Sequence, residues 1–279
     1  MIKAIGFGPW IGDFESEIIT FRPYIKWVSE VSEINYNDFF LYTHENRSFM
    51  YDWIPEDNIF HVYQQLTRSE LEQKGFTHNN VKQKDFNLLV KIFKENIVEA
   101  RGYSKKDIDI IHLSYIKNPP IYSVYQKSFV KIPVSDINIS EEYKNKVVYI
   151  PHDEEREDRA EEIYDFLVDE YDAIIAGDLK INLSWDNIIL NNIDYFENGF
   201  KYLLKILDCA KLVVCPASYW TYLCNLQNVP VFSYGPTPGL YRPGGIYYLN
   251  NEKSMVISAV EDTPAKQITS MVKYFKDKL

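Results

Sequence analysis

Hydrophobic and polar positions along the chain follow two different periods in turn. Short apolar runs, typical of buried strands, are each followed by segments whose apolar residues recur at helical spacing. This alternation predicts parallel sheets covered by helices, the α/β class. In the first half the predicted strands are residues 3–8, 38–44, 58–63 and 108–115, and the predicted helices are residues 14–31 and 84–101, the second ending at Gly102.

The segment 117–146 interrupts this rhythm with polar residues and with Pro119, Pro120 and Pro133. Proline and polar residues are typical of a crossing between domains. Beyond it the alternation begins again, so the second half also predicts an open parallel sheet. Its predicted strands are residues 146–151, 172–178, 211–216 and 229–235, and its predicted helices are residues 156–171, 198–210 and 218–228.

These breaks predict two Rossmann-like domains followed by a helix. The first domain covers residues 1–138 and the second covers residues 139–262. The final segment, 263–279, reads as an amphipathic helix with Thr263 as its cap and Pro264 at its first helical position. We expect this helix to pack back on the first domain.

Composition and charge make some classes of function and location less probable than others. The 40 acidic residues outnumber the 30 Lys and Arg residues and give a formal charge of −10, which disfavours binding to a nucleic-acid polymer. The three cysteines, Cys209, Cys215 and Cys224, form no CxxC pair and read as reduced core residues. No apolar run is long enough to span a membrane, and the N-terminal residues lack a signal-peptide pattern, so a cytoplasmic location is the default expectation.

Ligands of open parallel sheets bind outside the carboxyl ends of the strands. The first such end carries Gly12 and Asp13, directly before the helix at 14–31. The glycines of this stretch do not have the GxGxxG spacing of a dinucleotide-binding turn. In the second half the strand ends carry residues 152–159, 216–218 and 235–241.

Two of these stretches together resemble the family 9 glycosyltransferases, the heptosyltransferase-like enzymes of the GT-B fold. The first is the Gly12-Asp13 pair, and the second is the C-terminal stretch 207–245, with Leu223, Pro230 and the turn GPTPG at 235–239. The resemblance implies two Rossmann-like domains whose parallel sheets face each other across a cleft. It also implies metal-independent, inverting sugar transfer from a nucleotide-sugar donor.

The chain departs from the family pattern at one element. Where the family places Asp, Ser or Thr, Gly and His, this sequence has Ala217, Ser218, Tyr219 and Tyr222. Ser218 retains the hydroxyl residue of the pattern, whereas Ala217 stands in place of the acid and Tyr222 in place of the histidine. Together with the lack of a basic or amphipathic membrane-facing segment, this disfavours heptose transfer to lipopolysaccharide.

The resemblance assigns Asp13 as the base that takes the acceptor proton, while the alternative is an ordinary N-cap of the helix at 14–31. For the donor diphosphate we expect Ser218 and Tyr219 at a helix start and the turn Gly235, Pro236 and Thr237 to supply hydrogen bonds, while Gly12 lets a substrate approach the backbone closely. The alternatives there are a helix cap at Ser218 and a plain tight turn at 235–239.

Basic residues near the strand ends complete the candidate site. His152 either faces the substrate or nucleotide or lies in a solvated turn. Arg156 and Arg159 either bind phosphate or belong to an exposed, salt-bridged helix face, and Arg242 is a further phosphate candidate. No HxH, HExxH or Asp-x-Asp element suggests a metal, so the site is expected to need no cofactor.

The leading hypothesis is therefore a metal-independent glycosyltransferase acting on an unidentified acceptor. One alternative is a GT-B-like transferase that modifies a nucleotide, a nucleic-acid base or a protein side chain. The other is a degenerate GT-B protein that binds a nucleotide or a glycan without turnover.

Overall fold

The chain folds into two compact units, Met1–Val130 and Lys131–Leu279. The division lies within the proline-containing crossing, ahead of the boundary expected after residue 138. The computed structural model describes residues 2–10, 17–61, 83–112, 129–151, 157–176, 188–190, 199–236, 238–241, 245, 247–249, 251–260 and 262–279.

The first unit is a four-stranded parallel sheet with the strand order β3-β2-β1-β4. Its strands are β1 (Ala4–Phe7), β2 (Phe39–Thr43), β3 (Ile59–His61) and β4 (Ile108–Ile111). A π-helical turn, Glu17–Phe21, runs into helix α1 (Arg22–Val31), and helix α2 (Gln83–Arg101) precedes β4. All four predicted strands and the described parts of both predicted helices are therefore present.

Helix α2 covers one face of this sheet. Phe93 and Ile97 of the helix lie over Gly6 of β1, where an added Cβ would meet the Phe93 ring at 2.8 Å and Ile97 at 3.0 Å. A glycine in the strand thus allows close approach of helix and sheet. The helix ends before Gly102, which has a φ of +70° and donates its N–H to the Val98 carbonyl at 2.7 Å.

The second unit is a six-stranded parallel sheet with the strand order β10-β9-β8-β5-β6-β7. Its strands are β5 (Val147–Tyr149), β6 (Ile174–Ala176), β7 (Ile188–Leu190), β8 (Leu212–Pro216), β9 (Val231–Gly235) and β10 (Ser254–Ser258). Its helices are α3 (Glu157–Tyr171), α4 (Gly199–Asp208), α5 (Tyr219–Gln227) and α6 (Ala265–Lys276).

The sequence pattern missed the two edge strands of this sheet, β7 and β10. Residues Ser254–Ser258 of β10 are only half-buried or exposed, so the strand does not read as a buried apolar run. An edge strand pairs on one side only and needs less apolar sequence than a central one.

Helix α6 packs within the second unit. Ile268, Val272 and Phe275 belong to one core cluster with the sheet residues, and the Phe275 ring lies 6.2 Å from that of Phe232. The apolar face that was expected to pack on the first domain therefore covers the sheet of its own unit.

The start of helix α6 differs from the expectation. Pro264 is the cap residue, with an extended backbone at φ −63° and ψ 142°, and the helix begins at Ala265. The Thr263 hydroxyl instead accepts a hydrogen bond from the Val260 N–H at 2.9 Å. Thr263 is thus not the cap, because its side chain closes the turn before the helix.

The cysteines are free thiols, as the sequence predicted. Cys215 and Cys224 are fully buried, whereas Cys209 is half-buried. Burial raises the pKa of the Cys215 thiol to about 12 and also raises that of Cys224. Within the described ranges, no helix is both long and apolar enough to cross a membrane.

We expect only Cys209 to react with a thiol reagent at pH 8 in the folded protein. The thiolate is the reactive form, and both its access and its population are suppressed at Cys215 and Cys224. Mass spectrometry after brief labelling should find at most one adduct, and three after denaturation. Prompt native labelling of Cys215 would contradict the burial described here.

Candidate functional site

The second unit has a topological switch point between strands β5 and β8. From β5 the chain builds outward through β6 and β7, and from β8 it builds in the opposite direction through β9 and β10. Connections that leave two neighbouring strands in opposite directions open a crevice at their carboxyl ends. Pro151 follows β5 at this crevice and Ala217 and Ser218 follow β8, whereas His152 and Arg156 lie outside the described residues.

Ser218 caps helix α5 at this switch point. Its Oγ accepts a hydrogen bond from the Trp220 N–H at 3.4 Å and donates to the Pro216 carbonyl at 3.3 Å. The Thr221 hydroxyl accepts from the Ser218 N–H at 3.4 Å and completes a capping box. The interpretation of Ser218 as a helix cap is confirmed, and its role toward a phosphate stays a prediction.

A buried polar cluster fixes the start of helix α5 on the sheet. The Thr221 and Ser233 hydroxyls lie 2.8 Å apart, and Thr221 Oγ1 also donates to the Pro216 carbonyl at 3.1 Å. Cys215 Sγ lies 3.4 Å from Ser233 Oγ. These side chains are buried, so they hold the helix N-terminus in place and do not present groups to a ligand.

The strand end at Gly235 lies directly beside Ala217. The Ala217 N–H donates to the Tyr234 carbonyl at 2.8 Å, and an added Cβ at Gly235 would lie 3.3 Å from the Ala217 Cβ. Pro236 follows and is exposed, and Thr237 lies outside the described residues. Two small residues thus allow the ends of β8 and β9 to lie side by side.

Tyr222, at the position where the pattern of the resemblance has histidine, is fully buried. The edge of its ring meets the Tyr247 ring at 5.7 Å, and the Tyr241 ring lies 5.3 Å from Tyr247. The Asn225 side chain donates to the Tyr247 carbonyl at 3.0 Å. The position therefore holds the segment after β9 against helix α5, and Arg242 of that segment lies outside the described residues.

Tyr241 belongs to the strand-end stretch 235–241 named from the sequence, whereas Tyr247 and Asn225 were not predicted as site residues. A usable signal was present in helix α5, where Tyr222 and Asn225 are three residues apart and lie on one face. The partners of that face are about twenty residues further along the chain, and periodicity does not identify such partners.

Arg159 lies on helix α3 and hydrogen-bonds to the turn before helix α6. Its Nη1 donates to the Val260 carbonyl at 2.8 Å and to the Thr263 carbonyl at 3.4 Å, which ties helix α3 to the turn before α6. A cavity of about 270 Å³ adjoins it and is lined by Asp158, Arg159, Glu162, Asp262, Thr263, Pro264 and Ala265. Three carboxylates against one guanidinium disfavour a phosphate at this place.

The first unit has its own switch point, between β1 and β4. The chain leaves β1 through Gly8, whose φ is +112° and whose N–H donates to the Ile111 carbonyl at 2.9 Å. An added Cβ at Gly8 would lie 2.4 Å from the Tyr42 carbonyl oxygen, so this tight departure requires glycine. Gly12 and Asp13 follow shortly afterwards and lie outside the described residues.

A buried glutamate that the sequence analysis missed lies at the end of β2. Glu17 is fully buried, and its Oε1 accepts hydrogen bonds from Tyr51 Oη at 2.7 Å and Thr43 Oγ1 at 3.0 Å. Its Oε2 accepts from Arg47 Nη1 at 2.6 Å. We call Glu17, Thr43, Arg47 and Tyr51 the Glu17 cluster.

Burial dominates the electrostatics of the Glu17 cluster. Desolvation raises the pKa of Glu17, although the Arg47 charge and the three donors act in the opposite direction. The pKa of Tyr51 is raised by burial and by the Glu17 carboxylate, and that of His44 next to the cluster is lowered by burial. A signal for the cluster existed in the four-residue spacing of Thr43, Arg47 and Tyr51 after a strand.

We expect Arg47→Met to lower the free energy of unfolding by about 3–5 kcal/mol, because it leaves the Glu17 carboxylate buried without its counter-charge. Urea unfolding, monitored by circular dichroism, measures this free energy. Lys105→Met is the matched control, since Lys105 pairs with Glu95 at 2.8 Å but both side chains are about half exposed (57% and 45%). A small effect at Arg47, equal to that of the control, would rule out a structural ion pair.

The comparisons with known proteins agree with this architecture. The sequence matches no protein-family profile, and no curated protein matches it significantly. Solved structures do match, over nearly the whole chain. A family 9 glycosyltransferase from Veillonella parvula has a TM-score of 0.53 at 10% identity, with 100% of this chain and 98% of that chain covered.

Two further structures show the same fold. The Escherichia coli ADP-heptose lipopolysaccharide heptosyltransferase II has a TM-score of 0.51 at 14% identity, with 99% of both chains covered. The iron-containing dodecameric heptosyltransferase TibC of enterotoxigenic Escherichia coli has a TM-score of 0.54 at 9% identity, with 100% of this chain and 78% of that chain covered. The chain thus has the two-unit, Rossmann-like α/β fold of these GT-B glycosyltransferases, at very low sequence identity.

Proposed function

We propose that the protein is a metal-independent, inverting glycosyltransferase that moves a sugar from a nucleotide-sugar donor to an acceptor. The observation that carries this proposal is the capped start of helix α5 at the switch point of the second sheet. That position combines a helix N-terminus, the half-buried Ser218 and the end of strand β9 at Gly235, which the exposed Pro236 follows. A cytoplasmic location belongs to the same proposal.

The donor diphosphate would bind at this helix start. The N-terminus of a helix carries a partial positive charge, and its N–H groups favour an anion without a metal. The half-buried Tyr219 stands at the first helical position, and Gly235, Pro236 and Thr237 come at the end of the neighbouring strand β9. His152, Arg156 and Arg242 stay candidates for a cationic contact to the diphosphate.

Acceptor chemistry is assigned to the first unit. We propose Asp13 as the base that removes the proton from the acceptor hydroxyl. The acceptor oxygen then attacks the anomeric carbon while the bond from that carbon to the diphosphate oxygen breaks. The diphosphate leaves with the electron pair, Asp13 keeps the proton, and the single displacement inverts the anomeric centre.

The similar proteins support the donor class. TibC was solved with ADP-D-β-D-heptose, and the Escherichia coli heptosyltransferase II is named for ADP-heptose. In this chain Ala217 supplies no carboxylate and Tyr222 is buried, so the sugar contacts of the donor would differ from the family pattern. Across the described residues, no group of three or more His, Cys, Asp or Glu side chains could hold a metal ion.

The same two positions favour a second candidate function. A protein that binds a nucleotide or a glycan without turnover would keep the capped helix start and tolerate the loss of the acid and the histidine. It would have no need of Asp13. Substitution of Asp13 therefore distinguishes the two functions.

A thermal-shift screen with UDP-, GDP-, ADP-, CMP- and dTDP-linked sugars is the first experiment. We expect one donor class to raise the melting temperature and to be turned over slowly by hydrolysis or transfer. Asp13→Asn should keep the donor Kd and lose about 10²–10⁴-fold in kcat, because it removes the general base. Donor binding without Asp13-dependent turnover would instead favour the binding protein.

Ser218→Ala tests the donor site itself. We expect about a tenfold or greater rise in the donor Kd, because a hydrogen bond to a charged phosphate is lost. Ser270→Ala is the matched control, since the Ser270 hydroxyl lies in the same unit and donates only to the Lys266 carbonyl of its own helix. Stabilisation by no donor, or equal affinities of the two variants, would contradict the diphosphate assignment.

A further inference from the structure

We infer that Glu17 is a positioning residue for the reaction, because its cluster fixes the chain on the C-terminal side of the proposed base. This inference rests on the proposed function, which assigns the base to Asp13. It goes beyond that proposal by naming a buried set of residues that controls where the base lies.

The chain is anchored on both sides of the segment 11–16, and both anchors use the end of the same strand. Before the segment, the Trp10 N–H donates to the Tyr42 carbonyl at 2.8 Å. After it, Glu17 Oε1 accepts from Thr43 Oγ1 at 3.0 Å. Tyr42 and Thr43 are consecutive residues at the carboxyl end of β2.

The two flanks are also packed against each other. The Trp10 ring stacks on the Phe21 ring, with centroids 4.7 Å apart and planes 20° apart. Phe21 in turn meets the Tyr51 ring edge-on at 6.5 Å, and Tyr51 donates its hydroxyl to Glu17. One buried arrangement therefore joins the residues before and after the proposed base.

Chain length limits how far the base can lie from these anchors. A chain spans at most about 3.5 Å per residue, and Asp13 is three residues after Trp10 and four before Glu17. The two anchors, Trp10 and Glu17, therefore limit the range of positions open to the proposed base. A looser anchor at Glu17 would widen this range, and a misplacement of about 1 Å can cost 10²-fold in rate.

The Glu17 cluster acts through the backbone and not by touching substrate. Glu17, Thr43 and Tyr51 have no exposed surface, and Arg47 is almost completely buried. A buried ion pair contributes little net stability compared with apolar side chains of the same size. The advantage of the ion pair is directional, since three hydrogen bonds from fixed donors hold the Glu17 carboxylate in one position, where an apolar contact would allow several.

Removing the hydroxyl donors one at a time tests the positioning role of Glu17 without breaking its ion pair with Arg47. In Thr43→Val and Tyr51→Phe, Glu17 Oε1 loses one hydrogen bond while Arg47 keeps its contact to Oε2. We expect kcat to fall about tenfold or more in each variant and the KM for the donor to stay within about twofold, because the donor site is in the other unit.

Two matched variants separate positioning from general loss of stability. Thr43→Ser keeps the hydroxyl and should restore kcat. Tyr149→Phe removes a buried hydroxyl from the core of the second unit, where it lies 3.2 Å from the Tyr234 hydroxyl, and should leave kcat unchanged at a similar loss of melting temperature.

The outcomes distinguish this inference from the proposed function. If the wild-type protein turns over a donor and Thr43→Val, Thr43→Ser and Tyr149→Phe all have the same kcat, the positioning role is wrong and the transferase assignment stands. If the wild-type protein binds donor but shows no turnover, both are wrong. A raised donor KM with unchanged kcat in Tyr51→Phe would also overturn the inference.

Discussion

The burial of parallel strands on both faces is the constraint on which both units depend. Strands β1, β2, β5, β8 and β9 consist entirely of buried residues. Their backbone groups are satisfied by neighbouring strands, and their side chains have to be apolar or paired. Polar chemistry is therefore confined to the carboxyl ends, where the chain leaves the sheet and meets helix N-termini.

Among the described residues of the first unit, the buried charged side chains Glu17, Arg22 and Arg47 are all hydrogen-bonded. Arg22 has 1% of its surface exposed, and it donates to the Met50 carbonyl at 2.8 Å and to the Val130 carbonyl at 2.7 Å. Its guanidinium also lies 5.2 Å from the centre of the Trp53 ring. Arginine suits such a site because its planar group has several donors and stacks on an aromatic face. Arg47 is likewise buried with its charge paired, in this case with the Glu17 carboxylate.

The sequence predicted the architecture well because strand and helix patterns are local. The buried runs of β8 and β9 and the Ser218 start of helix α5 could be read directly from apolar periodicity and cap chemistry. The Glu17 cluster could not, since Glu17 reads as one more polar position in a helix and its partners are 26 to 34 residues away. The edge strand β10 was missed for a related reason, since its pairing with β9 and not its apolar content makes it a strand. The role of Thr263 likewise follows from its hydrogen bond to the Val260 N–H, which composition does not reveal.

The contact between Ala217 and Gly235 links the evolution of two positions. With 3.3 Å between the Ala217 Cβ and the place of a Cβ at Gly235, a side chain at position 235 would press against Ala217. A substitution at position 217 would therefore depend on which residue occupies position 235. Changes at the two strand ends would then be epistatic, and the order in which they occurred would decide which substrates a descendant could accept.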